Sequence, residues 1–280
     1  MILIAESGST KTQWCMVSEQ EIVSLVNTPG INPVLLSTNE IINLIHPIVS
    51  ETDQIIFDDV YYYGAGCSSP VNAGKIRSAL EAVVACERIH IDTDLKAACL
   101  GLAGHEPGMI ALLGTGSNSC IWDGKQIQAK IPSLGYILGD EGGGVSIGKK
   151  LLADYLRLLM PEELRSSFAQ KYDIDTPYVL ERVYQGQMPN RFLAGFAPFA
   201  EEHIGHPYCL SLVNEQFKAF FNSNLLRYPN YRNYPLSFCG SIAMCHADLL
   251  EALCKEHQLS INKMVKAPID DLALYHQHLL

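Results

Sequence analysis

Seven residues near the start of the chain, Glu6-Ser7-Gly8-Ser9-Thr10-Lys11-Thr12, bring together small residues, four hydroxyls and one ammonium. Exposed backbone N–H groups, hydroxyls and a cation suit phosphate oxygens. The segment lies between the apolar run Met1 to Ala5 and the mixed run Gln13 to Val17, the pattern of two short strands joined at a hairpin tip. It is not a Walker loop, which needs Gly, four residues, Gly-Lys-Ser/Thr and then a helix, because the run after this turn is strand-like. An ordinary polar turn fits the same seven residues, so other segments must decide.

A second turn of the same kind, Gly114-Thr115-Gly116-Ser117-Asn118-Ser119, follows the apolar strand Gly108 to Leu113 and precedes a strand at Cys120 to Trp122, an Asp123-Gly124 turn and a return strand. The strand, hydroxylated turn, strand plan therefore occurs twice. Carboxylates stand at two further element boundaries. Asp92-Thr93-Asp94 joins the strand Arg88 to Ile91 to the alanine-rich helix Leu95 to Ala103, and capping accounts for one of the two acids. Gly139-Asp140-Glu141-Gly142-Gly143-Gly144 opens a long helix expected over Val145 to Leu159, where acids gain from the helix dipole and glycines allow close approach.

The remaining candidates are single residues. Asn32, in the turn-rich Thr28 to Pro33, presents its amide either to a ligand or to its own Asx turn. Gly66 lies where the strand Val60 to Tyr63 exits. Gly240-Ser241 joins the strand Pro235 to Cys239 to a helix expected over Ile242 to His257, so a purine ring would lie against the backbone there. A branched side chain at Gly240 is expected to fill that surface and leave the fold intact. His203 and His206 have no third metal ligand nearby in sequence.

The elements that position these groups are strands at Ile22 to Val26 and Leu259 to Val265, helices at Thr38 to Val49, Val71 to Cys86 and Ile269 to Leu279, and a helical stretch from Pro161 to Asn224. With 280 residues, two domains are the prior, and 48% hydrophobic against 18% charged residues implies real cores. A net charge of −10 argues against nucleic acid or an anionic membrane as partner. No leader-like start and no apolar run of about 20 residues lead to a cytoplasmic expectation. Nine scattered cysteines without a Cys-x-x-Cys pair read as reduced, mostly buried thiols.

With these motifs in this order, the whole chain resembles the acetate kinase, sugar kinase, heat-shock-70 and actin superfamily, and within it the branch of N-acetylglucosamine kinases and BadF/BadG/BcrA/BcrD-type ATPases. The resemblance implies an α/β fold of two ribonuclease-H-like domains of the actin/hexokinase type with a nucleotide cleft between them. Residues 1–115 with 266–280 would form one domain and 116–265 the other. It implies an ATP-dependent amino-sugar kinase, acting on N-acetylglucosamine at its 6-hydroxyl, with Mg²⁺ and a possible homodimer.

By the same resemblance Gly8, Ser9, Thr10, Lys11 and Thr12 form the first phosphate motif, and Gly114, Thr115, Gly116 and Ser117 the second. Gly240 and Ser241 would contact adenosine. Asp94 would be the catalytic base, ionised at neutral pH with an ordinary pKa of ~3.9. Asn32, Gly66, Asp94 and Asp140 would touch the sugar, while Glu6 and Asp140 would hold Mg²⁺ through water. Two departures from the pattern are Leu134 where the mammalian enzyme has a tryptophan, and Ser7 and Ser9 where glycines are usual. The rivals are an activator ATPase of a dehydratase system, which needs clustered cysteines, and a non-catalytic sugar-sensing regulator, which carries a DNA-binding helix pair before its first strand.

Overall fold

The computed structural model describes residues 1–52 and 54–280, and its contacts divide the chain into two compact units. Unit 1 comprises 1–106, 122–127 and 267–280, and unit 2 comprises 107–121 and 128–266.

Unit 1 is built on a sheet of β1 (Ile2–Ser7), β2 (Lys11–Val17), β3 (Ile22–Ser24), β4 (Thr28–Pro29), β5 (Phe57–Gly64) and β6 (Cys86–Asp92). Its order is β3-β2-β1-β5-β6, with β4 paired to β2. β1 runs antiparallel to β2 and parallel to β5, which runs parallel to β6. Ile2, Leu3, Ile4 and Ala5 are all buried, as a strand between two neighbours with both faces covered requires. β6 ends the sheet and exposes Glu87, Arg88 and His90. Leu3, Ala5, Trp14, Ile41, Phe57, Tyr62, Ile76 and Leu80 belong to the core between this sheet and the helices Thr38–Ile45 and Pro70–Val83.

Unit 2 repeats the plan. β7 (Gly108–Leu113), β8 (Ser117–Trp122), β9 (Ile127–Lys130), β10 (Leu236–Cys239) and β11 (Ile261–Val265) lie in the order β11-β10-β7-β8-β9, with β7, β10 and β11 parallel. Read from the other edge this is β9-β8-β7-β10-β11, the same succession as in unit 1: three consecutive strands, then two reached by crossovers. Between β9 and β10 runs a helical region whose aromatics, including Phe168, Phe196, Phe199, Phe217 and Phe220, fill the core.

The boundary differs from the one expected at 115/116. β7 bonds to β10, so it belongs to the second sheet, and unit 2 starts at Pro107. Several helices end earlier than expected, and two differ most. The first, capped by Ser37 with Glu40 in a capping box, ends at Ile45 and passes into a single 3₁₀ turn around Pro47. The expected helix from Ile242 to His257 is two, Ser241–Cys245 and Ala247–Glu256, broken at His246.

Gly240 corrects another expectation. Its φ is +127°, and a Cβ there would lie 2.1 Å from the Leu113 carbonyl oxygen of β7. A side chain at 240 strikes the sheet before it meets any ligand. Gly240→Ala is therefore expected to cost about 2–5 kcal/mol from backbone strain and overpacking together, read by denaturant unfolding. A variant as stable as the parent would show that β7 and β10 can separate at no cost.

The helix Ile269–Gln277 packs on unit 1 through His276, whose ring is buried, bonded to Tyr63 Oη at 2.9 Å and 4.2 Å from the Tyr61 ring centre. Burial first and then the neighbouring His90 hold His276 down to about 4, with Asp59 pulling the other way. The folded value lies below the ordinary 6.5, so the unfolded chain binds the proton first as pH falls. Stability is thus lost between about pH 6.5 and 4, by ~3 kcal/mol, and by no more from this group below that. Both tryptophans, Trp14 and Trp122, fall in unit 1, so fluorescence-detected urea unfolding reads this unit. Glu6, raised to about 7 in the same unit, gains stability as pH falls over much of this range, so the readout is the stability of the parent minus that of His276→Gln, which should fall from pH 6.5 to 4. A difference that does not change across this range would exclude His276 as the responsible group.

Candidate functional site

The candidate residues of unit 1 lie at the C-terminal ends of its parallel strands, where open α/β sheets bind ligands. Register places Glu6 beside Tyr63 and Tyr63 beside Asp92, and Ser7 beside Gly64. From this edge extend the β1–β2 turn, the Gly64–Gly66 exit and the helix Asp94–Ala103.

The turn is held from within. Gly8 N donates to Lys11 O at 3.0 Å, and the Ser7 and Thr12 hydroxyls bond each other at 2.8 Å. Thr12 Oγ1 also donates to Pro29 O, while Ile31 N donates to Ser7 Oγ. The loop after β4 presses on the turn so closely that a Cβ on Gly30 would lie 2.5 Å from Gly8 O. The Thr12 hydroxyl is thus buried and used by the hairpin itself, rather than presented outward as its place in the motif suggested. Thr10 and Lys11 are exposed, Gly8 and Ser9 half-buried, and a Cβ on Gly8 would meet nothing closer than 3.8 Å. Thr10 and Lys11 therefore form the exposed side of the turn.

Neither acid of the 92–94 segment is the helix N-cap. That role falls to Thr93, whose hydroxyl accepts from Lys96 N at 3.2 Å. Asp92 Oδ1 accepts from Thr93 N and Asp94 Oδ1 from Leu95 N, each a short local bond that fixes the carboxylate. Asp94 interacts electrostatically with Glu6. Burial first, then this negative neighbour, push Glu6 up to about 7, with Lys11 pulling back. Glu6 is thus near enough to both Asp94 and Lys11 to feel their charges.

Asn32 makes the Asx turn, its Oδ1 accepting from Val34 N at 3.0 Å. It also borders Gly66, where φ is +79° and a Cβ would lie 2.6 Å from Asn32 Oδ1. Two residues unmarked in the sequence hold this corner: Asn72 Nδ2 donates to Gly66 O, and Lys75 Nζ to Pro33 O and Leu36 O. Only their helical spacing from Ser69, the N-cap of Pro70–Val83, could have pointed to them.

In unit 2 the second turn docks on the start of the helix Gly144–Leu156. Gly144 N donates to Gly114 O and Val145 N to Thr115 O, and Gly143 packs on Gly116 so tightly that a Cβ would lie 2.6 Å from its carbonyl carbon. Asp140, at φ +62°, accepts from Ser117 N at 3.1 Å, and burial, its largest influence, raises its pKa. Ser117 N and Gly116 are therefore used in joining the turn to Asp140, whereas a Cβ on Gly114 would meet open space. Gly240 lies against the same turn, Ser241 is exposed at the next helix start, and Ile242 Cδ1 reaches the Gly144 position.

Two other candidates have local roles. His206 caps the helix Pro207–Ser223 through Nδ1 and bonds Glu163 through Nε2, and the His203 ring sits 4.3 Å from that of Phe199. Leu134 is more than half exposed, at the start of the short helix Gly135–Leu138. Among the described residues no helix is long and apolar enough to cross a membrane.

No protein-family model and no curated protein matches the chain in sequence. Solved structures do. A protein from Porphyromonas gingivalis described as a "putative N-acetylglucosamine kinase" is 39% identical, with 99% of each chain covered and a TM-score of 0.90. One from Chromobacterium violaceum with the same description is 16% identical over 98% of each chain, with a TM-score of 0.67. ADP-bound MreB5 of Spiroplasma citri, an example at 10% identity, covers 99% of this chain and 95% of its own at a TM-score of 0.57. The last two show the fold alone, an α/β architecture of the actin/hexokinase type. Given the first, the chain belongs to the branch of N-acetylglucosamine kinases and BadF/BadG/BcrA/BcrD-type ATPases within the sugar-kinase, heat-shock-70 and actin superfamily.

Proposed function

We propose that the chain is an ATP-dependent kinase of an amino sugar, phosphorylating N-acetylglucosamine at its 6-hydroxyl in the cytoplasm. The observation that carries this is the grouping of Glu6, Asp94 and Lys11 at the strand ends of unit 1. A base, a cation-seeking carboxylate and an ammonium at an open turn are what phosphoryl transfer to an alcohol asks of a protein, since it consists mainly of positioning and charge neutralisation. The family membership points the same way, and the relative's description supplies the sugar.

Asp94, at the start of its helix and fixed through Oδ1, takes the proton of the sugar hydroxyl. Thr10, Lys11 and the N–H groups around Gly8 and Ser9 bind phosphate oxygens in unit 1, and Gly114 and Thr115 do so in unit 2. Gly240 and Ser241 bound the adenosine. Glu6 would hold Mg²⁺ through water, and Asp140, with Oδ1 already bonded, would do so through its other oxygen. When bound, Mg·ATP supplies the transferable phosphoryl group and the metal charge that neutralises it. Asn32 and Gly66 are the sugar candidates of unit 1, and Asp140 is that of unit 2.

Asp94→Asn is expected to leave ATP and sugar affinities within a few-fold and to lower turnover by ~10² or more. Coupled ADP-release kinetics with calorimetry on the same protein would test this. Near-normal turnover would move the base to Asp92.

Leu134 bears on which sugars are accepted. An aliphatic residue in place of an aromatic gives up a face worth ~0.5–1.5 kcal/mol and leaves room beside the ring. N-acetylglucosamine should bind modestly, and Leu134→Trp should narrow the range among N-acetylglucosamine, glucosamine and N-acetylmuramate. An unchanged order and spread of kcat/KM across the three would mean that Leu134 does not face the sugar.

A further inference from the structure

The two sugar candidates of unit 1 lie on separate loops. Asn32 stands between β4 and the helix Thr38–Ile45, and Gly66 follows the exit of β5. Most bonds in the first loop are local: Asn32 Oδ1 accepts from Val34 N at 3.0 Å, Asn32 O accepts from Leu35 N and Leu36 N, and Ser37 and Glu40 close the capping box. Bonds of this kind shape a loop without placing it on the rest of the unit. Among the described residues, only the Lys75 ammonium hydrogen-bonds residues 33–36 from another element, donating to Pro33 O at 2.7 Å and to Leu36 O at 3.1 Å.

Lys75 sits on the helix Pro70–Val83, whose Ile76, Ala79 and Leu80 are buried in the core of unit 1, so the helix is a fixed base. Its side chain is half-buried and forms no salt bridge among the described residues. The ammonium spends its donors on two carbonyls of one loop instead. Three residues earlier, on the same face of the helix, Asn72 Nδ2 donates to Gly66 O at 2.9 Å. One helix face thus holds both loops, and it holds them in contact. A Cβ on Gly66 would lie 2.6 Å from Asn32 Oδ1, 3.2 Å from Val34 Cγ2 and 3.4 Å from Pro33 Cδ. With Oδ1 taken by Val34 N, the Asn32 amide has Nδ2 to offer a ligand, and where that donor stands depends on how the loop is seated.

Resting on the kinase reading, we infer that Lys75 is a positioning residue for the amino sugar, acting through Asn32. It seats residues 33–36, and with them the Asn32 amide, against Gly66, while Asn72 holds the Gly66 side. The bonds that hold the β1–β2 turn run through Ser7, Gly8, Lys11, Thr12, Pro29 and Ile31 and none involves Lys75, so the effect falls on the sugar and spares ATP.

The test is steady-state kinetics on N-acetylglucosamine and on ATP for the parent, Lys75→Met, Asn32→Ala and the double variant, with Tm measured on each. Lys75→Met keeps an unbranched apolar stem and removes the donors. It should raise the sugar KM about tenfold, the scale of one hydrogen bond, and leave the ATP KM within twofold. Asn32→Ala should raise the sugar KM at least as much, and Asn72→Ser severalfold. Because Lys75 acts through Asn32, the double variant should match Asn32→Ala within twofold, whereas independent sites would multiply their effects. Multiplied effects, or an ATP KM that rises with the sugar KM, overturn the positioning role. So does a parental sugar KM in Lys75→Met or, should that variant not fold, in Asn72→Ser. An Asn32→Ala enzyme with a parental sugar KM overturns the inference while leaving the kinase reading in place. A parent that does not phosphorylate N-acetylglucosamine overturns that reading and this inference with it.

Discussion

The hydrogen-bonded register of three parallel strands is the constraint that shapes the whole of unit 1. Once β1, β5 and β6 are paired, Glu6, Tyr63 and Asp92 stand in one row, and the chain can leave that row only through its C-terminal edge. Each exit then solves the same problem: backbone groups freed from the ladder need partners. Gly8 N turns to Lys11 O, Ala65 N to Ser7 O, and Thr93 caps the helix after β6. Groups left on the outer side of these exits are the ones available to a ligand. Unit 2 meets the same constraint with β7, β10 and β11.

Charge crowding is the counterpart of that register. A carboxylate at the end of a buried strand loses hydration, and a second beside it repels it, so Glu6 sits far above the ordinary carboxylate range. The same proximity that makes the ionised site costly alone makes it hospitable to a cation or to Lys11. Asp59 is the contrast within the same sheet. Arg88, with two hydrogen bonds, and His90 hold its carboxyl down to about 2. Both acids lie on strands of one sheet; burial dominates at Glu6, whereas the hydrogen bonds from Arg88 dominate at Asp59.

Much of this was legible because it is local. Alternating apolar and small hydroxylated runs gave both hairpins, and the duplicated plan gave two sheets of one topology. What was not legible is what depends on distant partners. The break at His246 has no proline or glycine to announce it, whereas Pro47 was a visible stop that the expected helix over Thr38 to Val49 overran. The 107 boundary depends on β10, more than 100 residues away, bonding to β7. Thr12 looked like its neighbours in the turn, and only the β4 loop folded over it shows that its hydroxyl faces inward.

Glycines make the same point in reverse. Within a motif they read as room for a ligand, but here they divide. Gly8 and Gly114 have space where a Cβ would go, whereas Gly116, Gly143 and Gly240 are flush against Asp140, Gly116 and Leu113. The flush set fixes the second turn to the helix start and to β10, so its glycines are required by the fold before any ligand arrives. A motif of this kind is selected twice, once for the contact of backbone on backbone and once for the cradle that contact leaves open. Only the second use bears on chemistry, and the distance from each glycine to its nearest neighbour separates the two.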